Sequence, residues 1–386
     1  MADVVLSLDS GAAGTEFLTV EAMRNQGCEV DCVWADSLPR KIAHGNLHYL
    51  LELPAAYRAV MLERMRQKDY DVIHVNQPHG YLAAQAIATG PAHAVFIHRS
   101  HGIELRGERE LARWRRACGP PERRSSGKAW ARLWMARLLS RHGRAIAKYA
   151  DGHIVSASDC ARFMLAELGV PEDRVAVIPQ AAPPAYVEQS ALAMTPARAK
   201  RMLYVGQYTS AKAPSILAAA IERIMQSSDE PTLTWVTPKA SHATVCTLLS
   251  ERARPRVTLR DWMPQDELMS LYDSHGIFLF PSLFEGFGKV FIEAMARGLC
   301  VVAADNSGAK DVIRDGEDGR LVPTGDARAL ADACLELIRS QADAKVLGER
   351  AAVRARQYTW DRVGRETIAF YRNCIAQKRR QPLLQN

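Results

Sequence analysis

Two carboxylates eight residues apart, Glu285 and Glu293, lie in the stretch Ile277 to Ala303, IFLFPSLFEGFGKVFIEAMARGLCVVA. The apolar run Ile277–Phe280, ended by Pro281, predicts a buried parallel strand. Ser282 to Gly288 predicts a turn, Lys289 to Arg297 a helix closed by Gly298, and Val301–Ala303 the next strand. A strand, a glycine-bearing turn and a helix start make an anion site, because free backbone N–H groups and the helix dipole both point outward there. Eight residues are close to a whole number of helical turns, so Glu293 can share a face with the helix mouth. Either carboxylate alone would be an ordinary solvated surface group. Framing one such turn, the pair points to a functional site.

The segment PSLFEGFGKVFIEAMARG resembles the E-x7-E motif of the retaining group 1 glycosyltransferases, the large family of sucrose-synthase-like, mannosyl- and glucosyl-transferring enzymes. That resemblance implies an α/β GT-B fold: two Rossmann-like domains whose parallel sheets face across a cleft. It implies that Glu285, Gly286, Phe287, Gly288 and Lys289 meet the sugar and diphosphate of a nucleotide donor, and that Glu293 holds the ribose hydroxyls. The donor is a substrate, so no separate cofactor is implied. No Asp-x-Asp motif is present, and no obligatory metal is expected.

The elements that position these residues follow from patterning. A chain of 386 residues exceeds one ordinary core, and 48% apolar with 24% charged residues is the composition of a globular protein. Val4–Leu8 reads as a first strand, and Ser10–Glu16 as a glycine-bearing turn leading to a helix from about Glu16 to Asn25. Glu29–Trp34 reads as the second strand. The turn is not G-x-G-x-x-G, although Asp36 lies about 20 residues on, so a dinucleotide oxidoreductase is the weaker reading. By resemblance, Gly14 in this turn faces donor and acceptor. Asp71–Val75 and Ala94–Ile97 are further strands. The latter runs into His98-Arg99-Ser100-His101-Gly102, where ligands of parallel sheets gather. His101-Gly102 matches the family's His-Gly turn, whose histidine reaches the donor sugar, and His101 is therefore a candidate catalytic residue alongside Glu285 and Lys212. His79 and His98 have no such match, and a lone histidine at a strand end is more often structural.

Ala150–Ser158 and Val175–Pro179 complete the first half, read as residues 1–185 with a returning helix at 360–386. Pro183-Pro184 and the polar stretch after them read as a linker, 186–199. The second half, 200–359, opens with the strand Arg201–Val205 and Gly206. Relatives commonly place Arg after this glycine and Lys about five residues later, both on the donor diphosphate. Lys212 fits the lysine, but Gln207 replaces the arginine and cannot neutralise a phosphate. Trp262 and Met263 resemble the segment whose backbone meets the nucleobase. Asp305–Asp311 stands where relatives have a Gly-Gly turn. The tail Lys378-Arg379-Arg380 reads as disordered.

Charge is concentrated. Residues 104–148 hold thirteen Lys or Arg against four Glu, a balance of +9 in a chain of net +7. Trp114, Trp130 and Trp134 interleave with the arginines, and segments at 119–121 and 124–127 mark a mobile loop. A basic, Trp-bearing helix suits contact with an anionic membrane or an anionic glycan or lipid-linked acceptor. A solvated helix whose tryptophans pack inward would look similar. No nucleic-acid motif accompanies the charge. Eight scattered cysteines without paired CxxC motifs argue against zinc and for reduced thiols. With no signal peptide and no long apolar run, a cytoplasmic place is expected, peripheral to the inner face of the membrane if the basic segment binds it. The resemblance thus implies retaining transfer of a hexose-type sugar from a nucleotide-diphosphate donor to a glycan or lipid-linked hydroxyl, in bacterial cell-surface polysaccharide or glycolipid synthesis. A weak or inactive GT-B binder of glycan or anionic partners is the alternative.

Overall fold

The computed structural model describes residues 1–2, 11–118, 126–189, 191 and 193–380. The first-strand segment Val4–Leu8 lies outside them, as does most of the loop expected at 119–121 and 124–127; Ser126 and Gly127 open a helix instead. The chain forms two compact units. One comprises Met1–Arg109, Arg115–Pro179 and Trp360–Asn386, the other Glu110–Trp114 and Gln180–Thr359. Each is an α/β layer built on a parallel sheet.

In the first unit, helix α1 (Gly11–Arg24) precedes β1 (Val72–Asn76) and β2 (Val95–Ser100). Helices α2 (Glu104–Cys118) and α3 (Ser126–Tyr149) follow, then β3 (Gly152–Val155) and β4 (Val175–Val177). The sheet order is β1-β2-β3-β4, every pair parallel. Every residue of β2 is buried, as a strand covered on both faces requires. The small residues Gly11, Ala12 and Ala13 start α1 earlier than expected, so Gly14 is buried inside a helix rather than exposed in a turn. Glu29–Trp34 is extended chain rather than a ladder strand. Strand status needs a paired neighbour, and residues 3–10, which precede it in the pattern, lie outside the described set.

The unit buries an unusual number of imidazoles. His98 Nδ1 lies 3.1 Å from His153 Nδ1 across β2 and β3. His79 and His142 meet edge to face at 5.8 Å. Burial lowers all of these pKa values: His74 and His153 to about 3, His79 and His142 to about 4, and His98 well below its ordinary value. The C-terminal helix, Trp360–Arg380, stays ordered through the basic residues expected to fray. Lys378 Nζ donates to Ala94 O at 2.8 Å and pairs with Asp151 at 3.0 Å.

The second unit contains β5 (Arg201–Val205), β6 (Thr232–Val236), β7 (Val257–Arg260), α4 (Gln265–Ser274), β8 (Ile277–Phe280), α5 (Lys289–Ala296), β9 (Cys300–Ala304) and β10 (Arg320–Val322). Its sheet order is β10-β9-β8-β5-β6-β7, all parallel, with β8 and β9 buried throughout. The stretch read as a linker is a packed part of this unit. Pro184–Glu188 is helical, and Tyr186 is buried against Tyr272. Arg297, 1% exposed, holds the stretch by donating to the carbonyls of Tyr186 and Gln189 while it grips Asp273 at 2.7 and 2.9 Å. Composition alone missed this because the anchor lies 111 residues away. Leu111 and Trp114, from the segment grouped with this unit, pack with Ala213, Ile216 and Leu283. Among the described residues no helix is long and apolar enough to cross a membrane.

Two stability outcomes follow. Arg297→Ala leaves Asp273 and two carbonyls without their donor and should cost roughly 3 kcal/mol in urea denaturation of the second unit. Arg223→Ala, at a half-exposed pair with Asp332, should cost under about 0.5 kcal/mol. Equal losses would show that the buried clamp is not special. For acid, the sign is fixed by the depressed imidazoles: above pH 6.5 they are neutral in both states. As pH falls, the unfolded chain binds protons first, so folding stability drops from about pH 6.5 towards pH 4. Each such histidine should remove on the order of 1–2 kcal/mol by pH 5. A first unit whose melting temperature is flat from pH 7 to 5 would contradict this.

Candidate functional site

In a parallel sheet the loops that can carry chemistry lie beyond the strands' carboxyl ends. In the second unit, the loops after β5, β8 and β9 meet there. Lys212, in the turn after β5, forms an ion pair with Glu285, in the turn after β8. Ser282 Oγ donates to Glu285 Oε1 at 2.9 Å, and Glu285 N donates to Ser307 Oγ at 3.2 Å. Asn306 ties the same turn down by donating to Ser282 O at 2.8 Å and to Thr324 Oγ1 at 2.9 Å. Leu283 N reaches Ala211 O at 2.8 Å, locking the two turns together. The site is therefore one stitched cluster of turns. Ser307 and Ala213 are both held at positive φ, 52° and 55°, a conformation that favours glycine. That strain is offset by the bonds just named.

Gly288 has φ of +94° and sits against the Phe280 ring, so a side chain here would be both strained and crowded. It caps α5 without any side chain, which leaves the first amides of that helix for an outside acceptor. Phe287 is buried in the core, Gly286 is buried, and Lys289 is half-buried at the helix mouth. Glu293 is 2% exposed, and its Oε2 accepts from Tyr272 Oη at 3.2 Å. Burial raises its pKa, with Lys289 and the Tyr272 bond opposing. Glu285 and Lys212 thus meet directly, whereas Glu293 faces a tyrosine rather than either of them.

Gly206 donates its N–H to Val236 O at 3.0 Å, and Gln207 is exposed. Trp262 is 44% exposed and Met263 packs partly into the core. Asp261 orders this turn by accepting from Lys239 N and Trp262 N at 2.9 and 2.8 Å, which holds its carboxyl below the ordinary range.

In the first unit, His101 lies just past the end of β2. Its Nε2 is 2.7 Å from Oε1 of Glu16 on α1, an ion-pair contact. Arg99 is fully buried beneath, its Nε 3.8 Å from the same oxygen and its Nη1 donating to Thr19 Oγ1 at 3.0 Å. Burial alone would raise the Glu16 pKa, but Arg99 and His101 outweigh it and hold the carboxyl well below the usual range. Sequence reading missed Glu16. Its only signal was a carboxylate directly after the small residues that open α1.

Comparison with known proteins covers both units. Residues 2–181 match a "Glycosyl transferase 4-like domain" and residues 199–340 match "Glycosyl transferases group 1". A D-inositol 3-phosphate glycosyltransferase of Nocardioides sp. is 30% identical over 200 residues, 48% of this chain and 44% of that protein. The match thus spans less than half of that relative. Among solved structures, sucrose-phosphate synthase from Thermosynechococcus elongatus superposes with a TM-score of 0.71 at 21% identity, over 95% of this chain and 94% of that one. HepE from Anabaena, solved with UDP and glucose, gives 0.63 at 17% identity over 95% and 97%. At those identities the likeness is one of fold.

Proposed function

The chain belongs to the group 1 glycosyltransferases of the GT-B fold, and from that premise we propose that it moves a hexose from a nucleotide-diphosphate donor to a hydroxyl acceptor with retention of anomeric configuration. The observation that carries the reading is the stitched cluster in the second unit: a lysine paired with a carboxylate beside an uncapped helix start. In this reading the donor diphosphate takes the first amides of α5 and draws Lys212 from Glu285. The bond from the sugar's anomeric carbon to the diphosphate breaks, and negative charge grows on the leaving oxygen, where Lys212 and the amides stabilise it. The acceptor oxygen bonds the same carbon on the face just vacated, and its proton passes to the departing phosphate. Glu285 faces the sugar, Glu293 the ribose, and Trp262 with Met263 the base. His101, in the first unit, is the histidine this reading assigns to the sugar. No metal is required in this scheme, because lysine and backbone supply the positive potential.

The acceptor is proposed to be a glycan or lipid-linked hydroxyl bearing negative charge, in bacterial surface glycan or glycolipid synthesis in the cytoplasm. The relative named above, which acts on an inositol phosphate, supports an anionic acceptor. A second reading of α3 has its own observation. Trp130 is 70% exposed, Leu133 51% and Trp134 38%, with Arg137, Arg141 and Arg144 exposed on the same helix. Trp114 packs inward, but these side chains do not. Such a surface fits the interface of an anionic bilayer.

The donor reading is tested with a panel of nucleotide sugars, following release of nucleoside diphosphate with and without glycan acceptors. No release from any donor would leave the inactive-binder alternative standing. Lys212→Ala should weaken binding of the cognate nucleoside diphosphate by roughly 1–3 kcal/mol in calorimetry, and Gln207→Arg should tighten it. If neither changes affinity, the phosphate clamp is wrongly placed. The bilayer reading is tested by co-sedimentation with neutral and anionic vesicles at low and high salt. Binding should need the anionic lipid, fade with salt, and vanish when Arg137, Arg141 and Arg144 become Glu. Binding that survives all three changes removes this reading.

A further inference from the structure

We propose that Glu16 is a positioning residue for His101: it holds the Nε2 edge of the imidazole inward, so that Nδ1 is the ring nitrogen presented to a ligand. The proposal rests on the reading in which His101 reaches the donor sugar. Its geometry is independent of that reading. Glu16 Oε1 is 2.7 Å from His101 Nε2. The carboxylate is nearly enclosed, its side chain 7% exposed, while the histidine is 15% exposed at the carboxyl end of β2. One nitrogen therefore faces a fixed anion, and the ring's other edge is left to the loop end.

A buried carboxylate must be matched by positive charge or it becomes protonated. Arg99 supplies that match from the neighbouring position on β2, itself fully buried and anchored on Thr19 Oγ1 at 3.0 Å. The anchor continues down α1, because Thr19 Oγ1 donates to Thr15 O at 2.8 Å and Thr15 Oγ1 to Gly11 O at 2.7 Å. The other titratable groups facing the carboxylate are His74 on β1 and the Met1 amine, with Tyr371 of the C-terminal helix beyond. Arg99, with its Nε 3.8 Å from Glu16 Oε1, is the guanidinium that faces the carboxylate. A rigid helix thus delivers a charged orienter to a histidine, the arrangement by which a carboxylate selects an imidazole tautomer.

The decisive measurement is the tautomer itself. In protein labelled with 15N-histidine, the His101 signals, assigned by their loss in His101→Asn, should report a proton on Nε2 in the wild type. In Glu16→Gln they should shift towards a mixture of tautomers. In the sugar-transfer assay, Glu16→Gln should lower kcat at least about tenfold with the Kd for nucleoside diphosphate unchanged within twofold. Adding it to His101→Asn should cost nothing further. If Glu16→Gln does not fold, Glu16→Asp keeps the charge for Arg99 while withdrawing it from His101, and the same readouts apply. Unchanged His101 signals, or losses that simply multiply in the double variant, would overturn the proposal. If wild-type protein transfers no sugar while the tautomer shifts as stated, the transferase reading fails and the positioning role stands.

Discussion

Everything in both units depends on the strands running parallel. Each described ladder pairing between the ten strands is parallel, so each strand must be followed by a crossover that returns the chain to the same edge. Helical crossovers cover both faces, which is why β2, β8 and β9 are buried from end to end and why β8 and β9 read as unbroken apolar runs. The same constraint delivers the turns that follow the strands to one edge of each sheet. Lys212 and Glu285 are 73 residues apart, yet meet because β5 and β8 are neighbours in the sheet. Glu16 and His101 meet because α1 packs over the end of β2.

Several charges buried inside this framework are matched by an opposite charge. Arg99 lies beside Glu16, Arg297 beside Asp273, and Arg354 beside Asp318. These pairs are weak sources of net stability, since desolvation cancels much of their attraction. Their value is positional: each fixes a segment that hydrophobic packing alone would leave free to slide. The excess positive charge instead sits on α3, where Arg137, Arg141 and Arg144 remain exposed among exposed tryptophans. That division separates residues that hold the fold from residues available to a partner.

The sequence made most of the second unit legible, because parallel-strand runs, glycine turns and amphipathic helices are local patterns. Ile277–Phe280 and the helix from Lys289 were visible for that reason. What was not legible depends on distant partners. The polar composition of 186–199 suggested a linker, and only Arg297 reveals it as packed. Lys378 suggested a loose tail, and only Asp151 and the Ala94 carbonyl anchor it. Gly14 suggested a turn, but alanines beside it favour helix. Glu16 carried no spacing motif at all, and its meaning comes from two residues on another element. Lys212, Glu285 and Glu293 could be named as candidates from the sequence, but the direct Lys212–Glu285 pairing and the inward face of Glu293 could not.

The Lys212–Glu285 pair also sets how the anion site can work. With Gln207 where a second cation would stand, Lys212 is the cation that these turns direct at Glu285. Before an incoming phosphate it is already neutralised by that carboxylate. An anion approaching the turns must therefore compete with Glu285 for one ammonium group. Its initial hold would come from the uncapped amides of α5, whose dipoles need no rearrangement. Charge that grows later on a leaving oxygen competes better than the spread charge of an intact donor. A lysine shared in this way would bind the ground state weakly and the separating diphosphate more strongly. Only the second of these interactions lowers a barrier. In the proposed transfer, Gln207 in place of an arginine would then weaken donor affinity more than the chemical step.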